Sequence, residues 1–113
     1  MRDFDISLWE KLKREEFASR ERKRGKTLTD VINSLKIYFS SKKVGKVFLI
    51  GSVLKKGGFY DFSDIDIAVE GLAEDYFHTL SDLETLLERE VDLIELEGHR
   101  LREEIEKWGK RIK

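Results

Sequence analysis

Phe48-Leu49-Ile50-Gly51-Ser52, then eleven residues, then Asp64-Ile65-Asp66-Ile67, and later Val91-Asp92-Leu93-Ile94, are the stretches that decide this fold. An apolar strand that runs into Gly-Ser presents unobstructed backbone N–H groups and a hydroxyl, which suits a phosphate. Asp64 and Asp66 stand at i and i+2 on an extended chain, so they point from one face, roughly 6.6 Å apart. Asp92, on a further apolar strand, can complete a cluster of three carboxylates. Such a cluster beside a phosphate-holding turn is what metal-assisted phosphoryl or nucleotidyl transfer requires.

Outward from this centre, Ser7-x-x-Glu10 has the form of a capping box. Leu8, Trp9, Leu12 and Phe17 predict a helix over 7–23, which Gly25 ends. Thr27 or Thr29 can cap a second helix through Val31, Ile32, Leu35, Ile37 and Tyr38, ending near Ser41. Val44 to Ile50 reads as a buried strand, and Lys55 to Phe62 as a loop centred on Gly57-Gly58. Ile65, Ile67 and Val69 alternate with Asp64, Asp66 and Ala68, a strand with one apolar face. Tyr76, Phe77, Leu80, Leu83, Leu86 and Leu87 follow helical spacing from Glu74 to Arg89. Val91 to Leu96 is a third strand, and Leu101, Ile105, Trp108 and Ile112 mark a last amphipathic helix. The expected fold class is α/β (α+β): a short mixed sheet of three or slightly more strands with packed helices and an extra N-terminal helix. The helix between the second and third strands is a crossover, which makes those strands parallel.

With 113 residues the chain is expected to form one domain, with 1–26 as a helical extension and 27–113 as the catalytic core. No apolar run reaches the length of a membrane span, Met1 to Asp5 does not read as a signal peptide, and cysteine is absent. A cytoplasmic protein without disulfides or thiolate metal sites is expected. Gln is absent, Asn33 is the one asparagine, and charged residues make up 40% of the chain, a thermophile pattern that the lack of proline does not share. The net charge of −1 hides an asymmetry: residues 31–60 hold six lysines and no acid, whereas 61–97 hold thirteen acids and one base, Arg89. Carboxylates for cations beside lysines for phosphates would serve a metal–triphosphate site, although most of these charges are read as solvated faces.

The residues assign roles as follows. Asp64 and Asp66 converge on hard cations, with Mg²⁺ favoured because phosphates and waters can complete its octahedron. Asp92 lies where it could direct the proton of an attacking hydroxyl. Gly51 lets phosphates approach, Ser52 donates a hydroxyl, and Lys55 or Lys56 neutralises triphosphate charge. His78 and His99 have no ligand-spaced partner. Arg20, Arg22, Lys23 and Arg24, interrupted by Glu21, could touch RNA but read more simply as a solvated helix end, so nucleic-acid binding is not favoured. Trp9 and Trp108 are read as core or interface residues, and Tyr60 as a packing residue.

In these motifs the chain resembles the minimal nucleotidyltransferase (MNT) family of the DNA polymerase beta-like superfamily, over about residues 31–110. That resemblance implies two Mg²⁺ ions held by Asp64, Asp66 and Asp92, with Gly51 and Ser52 on the phosphates. It implies transfer of a nucleoside monophosphate, often AMP from ATP, to an acceptor. Many relatives carry arginines after Gly-Ser, where this chain has Val53-Leu54-Lys55-Lys56. The resemblance further implies a helical HEPN-type partner and the antitoxin role in a toxin–antitoxin pair, the acceptor being a hydroxyl on that partner. The acidic helix over 74–90 and the apolar stripe ending at Trp108 are candidate docking surfaces. Two other functions compete: a non-catalytic nucleotide-binding or partner-neutralising module, and a small-molecule (antibiotic) nucleotidyltransferase, for which this chain lacks the usual substrate domain.

Overall fold

A computed structural model describes residues 6–113; Met1 to Asp5, the stretch read above against a signal peptide, lies outside the described residues. The first element is one helix, α1 (Ile6–Ser40), and not two. Gly25 does not end it: the residue is helical, lacks the positive φ of a glycine cap, and has open space where its side chain would be. A glycine inside a helix costs about 1 kcal/mol relative to alanine, too little to break a segment so rich in Glu, Lys and Arg. Ser7 correspondingly lies inside the first described turn and not ahead of it.

The last third of α1 buries Val31, Leu35 and Phe39 against a four-stranded sheet. In chain order the strands are β1 (Lys46–Ile50), β2 (Ile65–Glu70), β3 (Val91–Glu95) and β4 (Lys110–Arg111). In space the order is β3-β2-β1-β4. β2 and β3 are parallel, as the crossover requires, and β1 runs antiparallel to both β2 and β4. The crossover helix is α2 (Tyr76–Leu87), slightly shorter than its apolar spacing predicts. Asp75 caps its start by accepting from the His78 N–H at 2.9 Å, and Glu88 stops it in the left-handed conformation at φ 51°.

β4 is the element the sequence reading omits. The expected last helix stops early, as α3 (Arg102–Trp108), and Gly109 turns extended at φ −71°, ψ 156°. Ile112 then packs on the main core while its N–H donates to the Val47 carbonyl at 2.8 Å. The sheet has two unequal faces. Val47, Leu49, Ile65, Ile67, Val69 and Leu93 face α1 and α2 in the larger core. Phe48, Ala68 and Ile94 face the other way, where Leu96, just past β3, and Ile105 of the short α3 cover only part of the sheet. The uncovered part of that second face carries the carboxylates.

Candidate functional site

Register places the site before any side chain is considered. Ile50 of β1 pairs with Asp66 of β2, and Asp66 pairs with Asp92 of β3. Since side chains alternate across a sheet and Ile65 and Ile67 enter the main core, Asp66 and Asp92 share the opposite, thinly covered face. Strand spacing sets them about 4.8 Å apart at the backbone. Asp64 lies just ahead of β2, one residue before Ile65, and is exposed like Asp92, whereas Asp66 is half-buried.

The electrostatics follow from this crowding. The Asp66 carboxyl is pushed above its ordinary range, first by burial and then by the charges of Asp92 and Asp64. The same Asp92 charge, after burial, raises the Tyr76 hydroxyl, which donates to the Leu93 carbonyl at 2.5 Å and ties α2 to β3. Among the described residues no three Asp, Glu, His or Cys side chains close into a ready-made metal cage. The donors nevertheless fit a hard divalent cation of the Mg²⁺ kind. All are carboxylates, they lie on one face, and they repel one another until positive charge is supplied.

Gly51 follows β1 directly and carries φ +82°, a conformation that L side chains rarely adopt. A Cβ at this position would sit 2.0 Å from the Asp66 carboxylate oxygen Oδ2. The glycine is therefore required by the neighbouring carboxylate, a reason the sequence could not display. Ser52 opens a single 3₁₀ turn, Ser52–Leu54, closed by the Leu54 N–H on the Gly51 carbonyl at 3.1 Å. Lys55 lies with Gly51 and Ser52 on the rim of a cavity of about 740 Å³. Lys56 is placed differently: its charge reaches Glu21 on α1 and helps keep that carboxylate acidic.

Glu21 and Arg24 are the residues that sequence reasoning missed. Arg24 is half-buried, pairs with Glu21 at 3.0 Å, and donates from Nη1 to the Val53 carbonyl at 3.0 Å. Glu21 in turn accepts the Gly57 N–H at 2.9 Å. Together they clamp both sides of the turn that follows Gly51-Ser52. Glu21 is held below the ordinary carboxylate range by Arg24 first and the Gly57 N–H second. The basic run at 20–24 is thus not simply a solvated helix end, since Arg20 also stacks on Tyr60 at 4.6 Å. The spacing of Glu21 and Arg24 at i, i+3 was the available signal.

Among the described residues no helix is long and apolar enough to cross a membrane. The search against curated proteins gives no match. Among solved structures the chain is similar to a chain of a toxin–antitoxin crystal structure with AMP-PNP. The two are 26% identical with a TM-score of 0.59, over 73% of this chain and 72% of that one. Residues 33–113 match the family model for polymerase beta nucleotidyltransferases, a span that begins within α1 and takes in the whole sheet, the Gly-Ser turn and all three aspartates. The chain belongs to the polymerase beta nucleotidyltransferase family.

Proposed function

We propose that this protein transfers a nucleoside monophosphate, AMP from ATP, to a hydroxyl on a helical HEPN-type protein, and acts as the antitoxin of that pair. The observation that carries the reading is the single row Asp92–Asp66–Ile50, which ends at Gly51 beside the Asp66 carboxylate. The similarity to a chain of a toxin–antitoxin crystal structure with AMP-PNP supports the nucleotide and the setting.

In this reading Asp64, Asp66 and Asp92 hold Mg²⁺, which when bound supplies charge neutralisation on the α-phosphate and a Lewis acid for the attacking oxygen. Gly51 admits the phosphates against the backbone, and Ser52 donates its hydroxyl to one of them. Lys55 neutralises charge from the cavity rim and Lys56 from the α1 side. Asp92 is the more exposed carboxylate of the β2–β3 pair, so it faces the side from which an acceptor arrives and can take or direct its proton. The acceptor oxygen forms a bond to the α-phosphorus as the bond to the bridging oxygen breaks, and pyrophosphate leaves.

The test is incubation with α-phosphate-labelled ATP, Mg²⁺ and host lysate, beside the Asp64→Asn/Asp66→Asn variant. A labelled protein band made only by the wild type supports the reading. Neutralisation of a partner toxin by both proteins, with no label under either, replaces it with the contact-only module. That second reading draws on the exposed Ile6, Leu12 and Phe17 of α1, which precede the family-matched span.

A further inference from the structure

Arg20, Lys23 and Thr27 stand at i, i+3 and i+7, so an unbroken helix turns all three to one side. The continuity of α1 through Gly25 is what keeps Thr27 in line with the two cations. That side faces the loop ahead of Asp64, and a cavity of about 170 Å³ lies between them. Tyr60, Phe62 and Arg89 also line it, with Asp61 as the one carboxylate among its described lining residues. The chain itself does little to neutralise these cations. The Arg20 guanidinium lies 4.6 Å from the Tyr60 ring centroid and 5.7 Å from that of Phe17. Its Nε is buried without a hydrogen-bond partner, and no carboxylate pairs with it among the described residues. Stacking thus occupies the faces of the guanidinium, while its N–H edge, the part that grips an oxyanion, has no acid. Lys23 reaches Asp61 only at 4.0 Å, with both side chains largely exposed. Arg89 donates from Nη1 to the carbonyls of Asp61 and Ser63 at 3.0 and 2.8 Å, which holds it in place without cancelling its charge. Three cations against one carboxylate leave two positive charges in excess.

We propose that this cavity binds a phosphomonoester dianion, gripped by Arg20, Lys23 and Arg89, whose planar organic group lies on the Tyr60–Phe62 stack at the rim. Charge selects the ligand class: a phosphomonoester carries about −1.5 to −2 at pH 7, which matches the excess, whereas a carboxylate offsets only half of it. Size agrees, since the cavity is smaller than the roughly 300–1,000 Å³ of sites that enclose a whole small ligand. It takes the phosphate and leaves the remainder outside. There the Tyr60 and Phe62 rings are stacked, with centroids 5.4 Å apart and planes 11° from parallel, and Phe62 is 84% exposed. An exposed ring face of this kind favours a flat apolar neighbour. The adjoining hollow of about 290 Å³ shares Asp61, Phe62 and Arg89 but adds Asp64, Glu88 and Glu90, so it repels the same anion. The phosphomonoester site is distinct from the nucleotidyl-transfer site: Gly51, Ser52, Lys55, Asp64, Asp66 and Asp92 do not line it. One connection joins the two. Arg89 holds the carbonyls on either side of Phe62, directly ahead of Asp64, so a phosphate shared by Arg20 and Arg89 pins that loop to α1.

The experiment is titration of the full chain, without Mg²⁺ and at physiological ionic strength, by phenyl phosphate, inorganic phosphate and benzoate, followed by calorimetry and by amide chemical shifts at Tyr60 to Ser63. Wild type, Arg20→Gln, Lys23→Gln and Phe62→Ala are compared; Lys23 and Phe62 are exposed, so their substitutions leave the core intact. Phenyl phosphate is expected to bind about fivefold more tightly than either other probe, and each charge substitution to weaken it about tenfold. Phe62→Ala should erase the advantage of phenyl phosphate over inorganic phosphate. A saturating non-hydrolysable ATP analogue, added with Mg²⁺, should leave phenyl phosphate affinity unchanged. Absence of binding, or affinity indifferent to Lys23→Gln, overturns the site. Benzoate binding as tightly as phenyl phosphate overturns the choice of a dianion. Displacement of phenyl phosphate by the ATP analogue moves the binding to the nucleotidyl-transfer site and likewise overturns the proposal.

Discussion

Gly51 and Asp66 form one device. The glycine's positive φ and the 2.0 Å approach of the Asp66 carboxylate mean that Gly51→Ala adds a strained backbone and a clash at once. We expect it to lower stability by about 1–3 kcal/mol, read from urea denaturation, and to abolish transfer. Asp66 also makes stability depend on pH. Its folded-state pKa is raised, so the folded chain binds that proton more readily than the unfolded chain. The contribution is fully present below the ordinary carboxylate range and is lost as pH rises through the folded-state value. Asp66→Asn removes the repulsion; its thermal midpoint should exceed the wild type's at pH 7 without Mg²⁺, with the gap closing towards pH 4. An unchanged gap across that range would mean that the carboxylates do not strain one another. The residue types of this site were legible in the sequence because strand alternation alone puts Asp64 and Asp66 on one side. The contact between Gly51 and Asp66 was not, because it depends on the packing of β1 against β2.

At the level of elements, the sheet's two parallel strands and the crossover helix could be read from periodicity, since Ile65, Ile67 and Val69 have no helical interpretation. The last helix misled because Ile105, Trp108 and Ile112 keep helical spacing across Gly109 while the chain has already turned into a two-residue strand. Only Gly109 signalled the change. The opposite error arose at Gly25, where a lone glycine suggested an end but the surrounding charged residues and the Glu21–Arg24 clamp sustain the helix. With open space around it, Gly25→Ala should stabilise the protein by about 0.5–1 kcal/mol in chemical denaturation. The clamp makes its own prediction. Arg24→Ala frees the Val53 carbonyl and removes the guanidinium paired with Glu21, so amide exchange at Gly57 should quicken several-fold and nucleotide affinity should fall, with the melting profile of the sheet little changed.

Across the whole molecule, mass is distributed unevenly along extents of 65 × 28 × 20 Å. Residues 6–18 of α1 are all exposed, and the core begins to bury the helix only beyond them. Removing residues 1–14 should therefore leave a folded domain that binds nucleotide with near-wild-type affinity, as gel filtration and calorimetry would report. A chain that precipitates on this truncation would place the early turns inside the folding unit. α1 also has a mechanical character that follows from its continuity through Gly25. The clamp at Glu21 stands about 22 Å along the axis from Ile6, so a tilt of roughly 10° there sweeps the tip through about 4 Å. An unbroken rod of this kind is a lever with its fulcrum on the turn that follows Gly51-Ser52. Whatever grips its far end also loads that turn, and any contact that stiffens the turn steadies the tip in return.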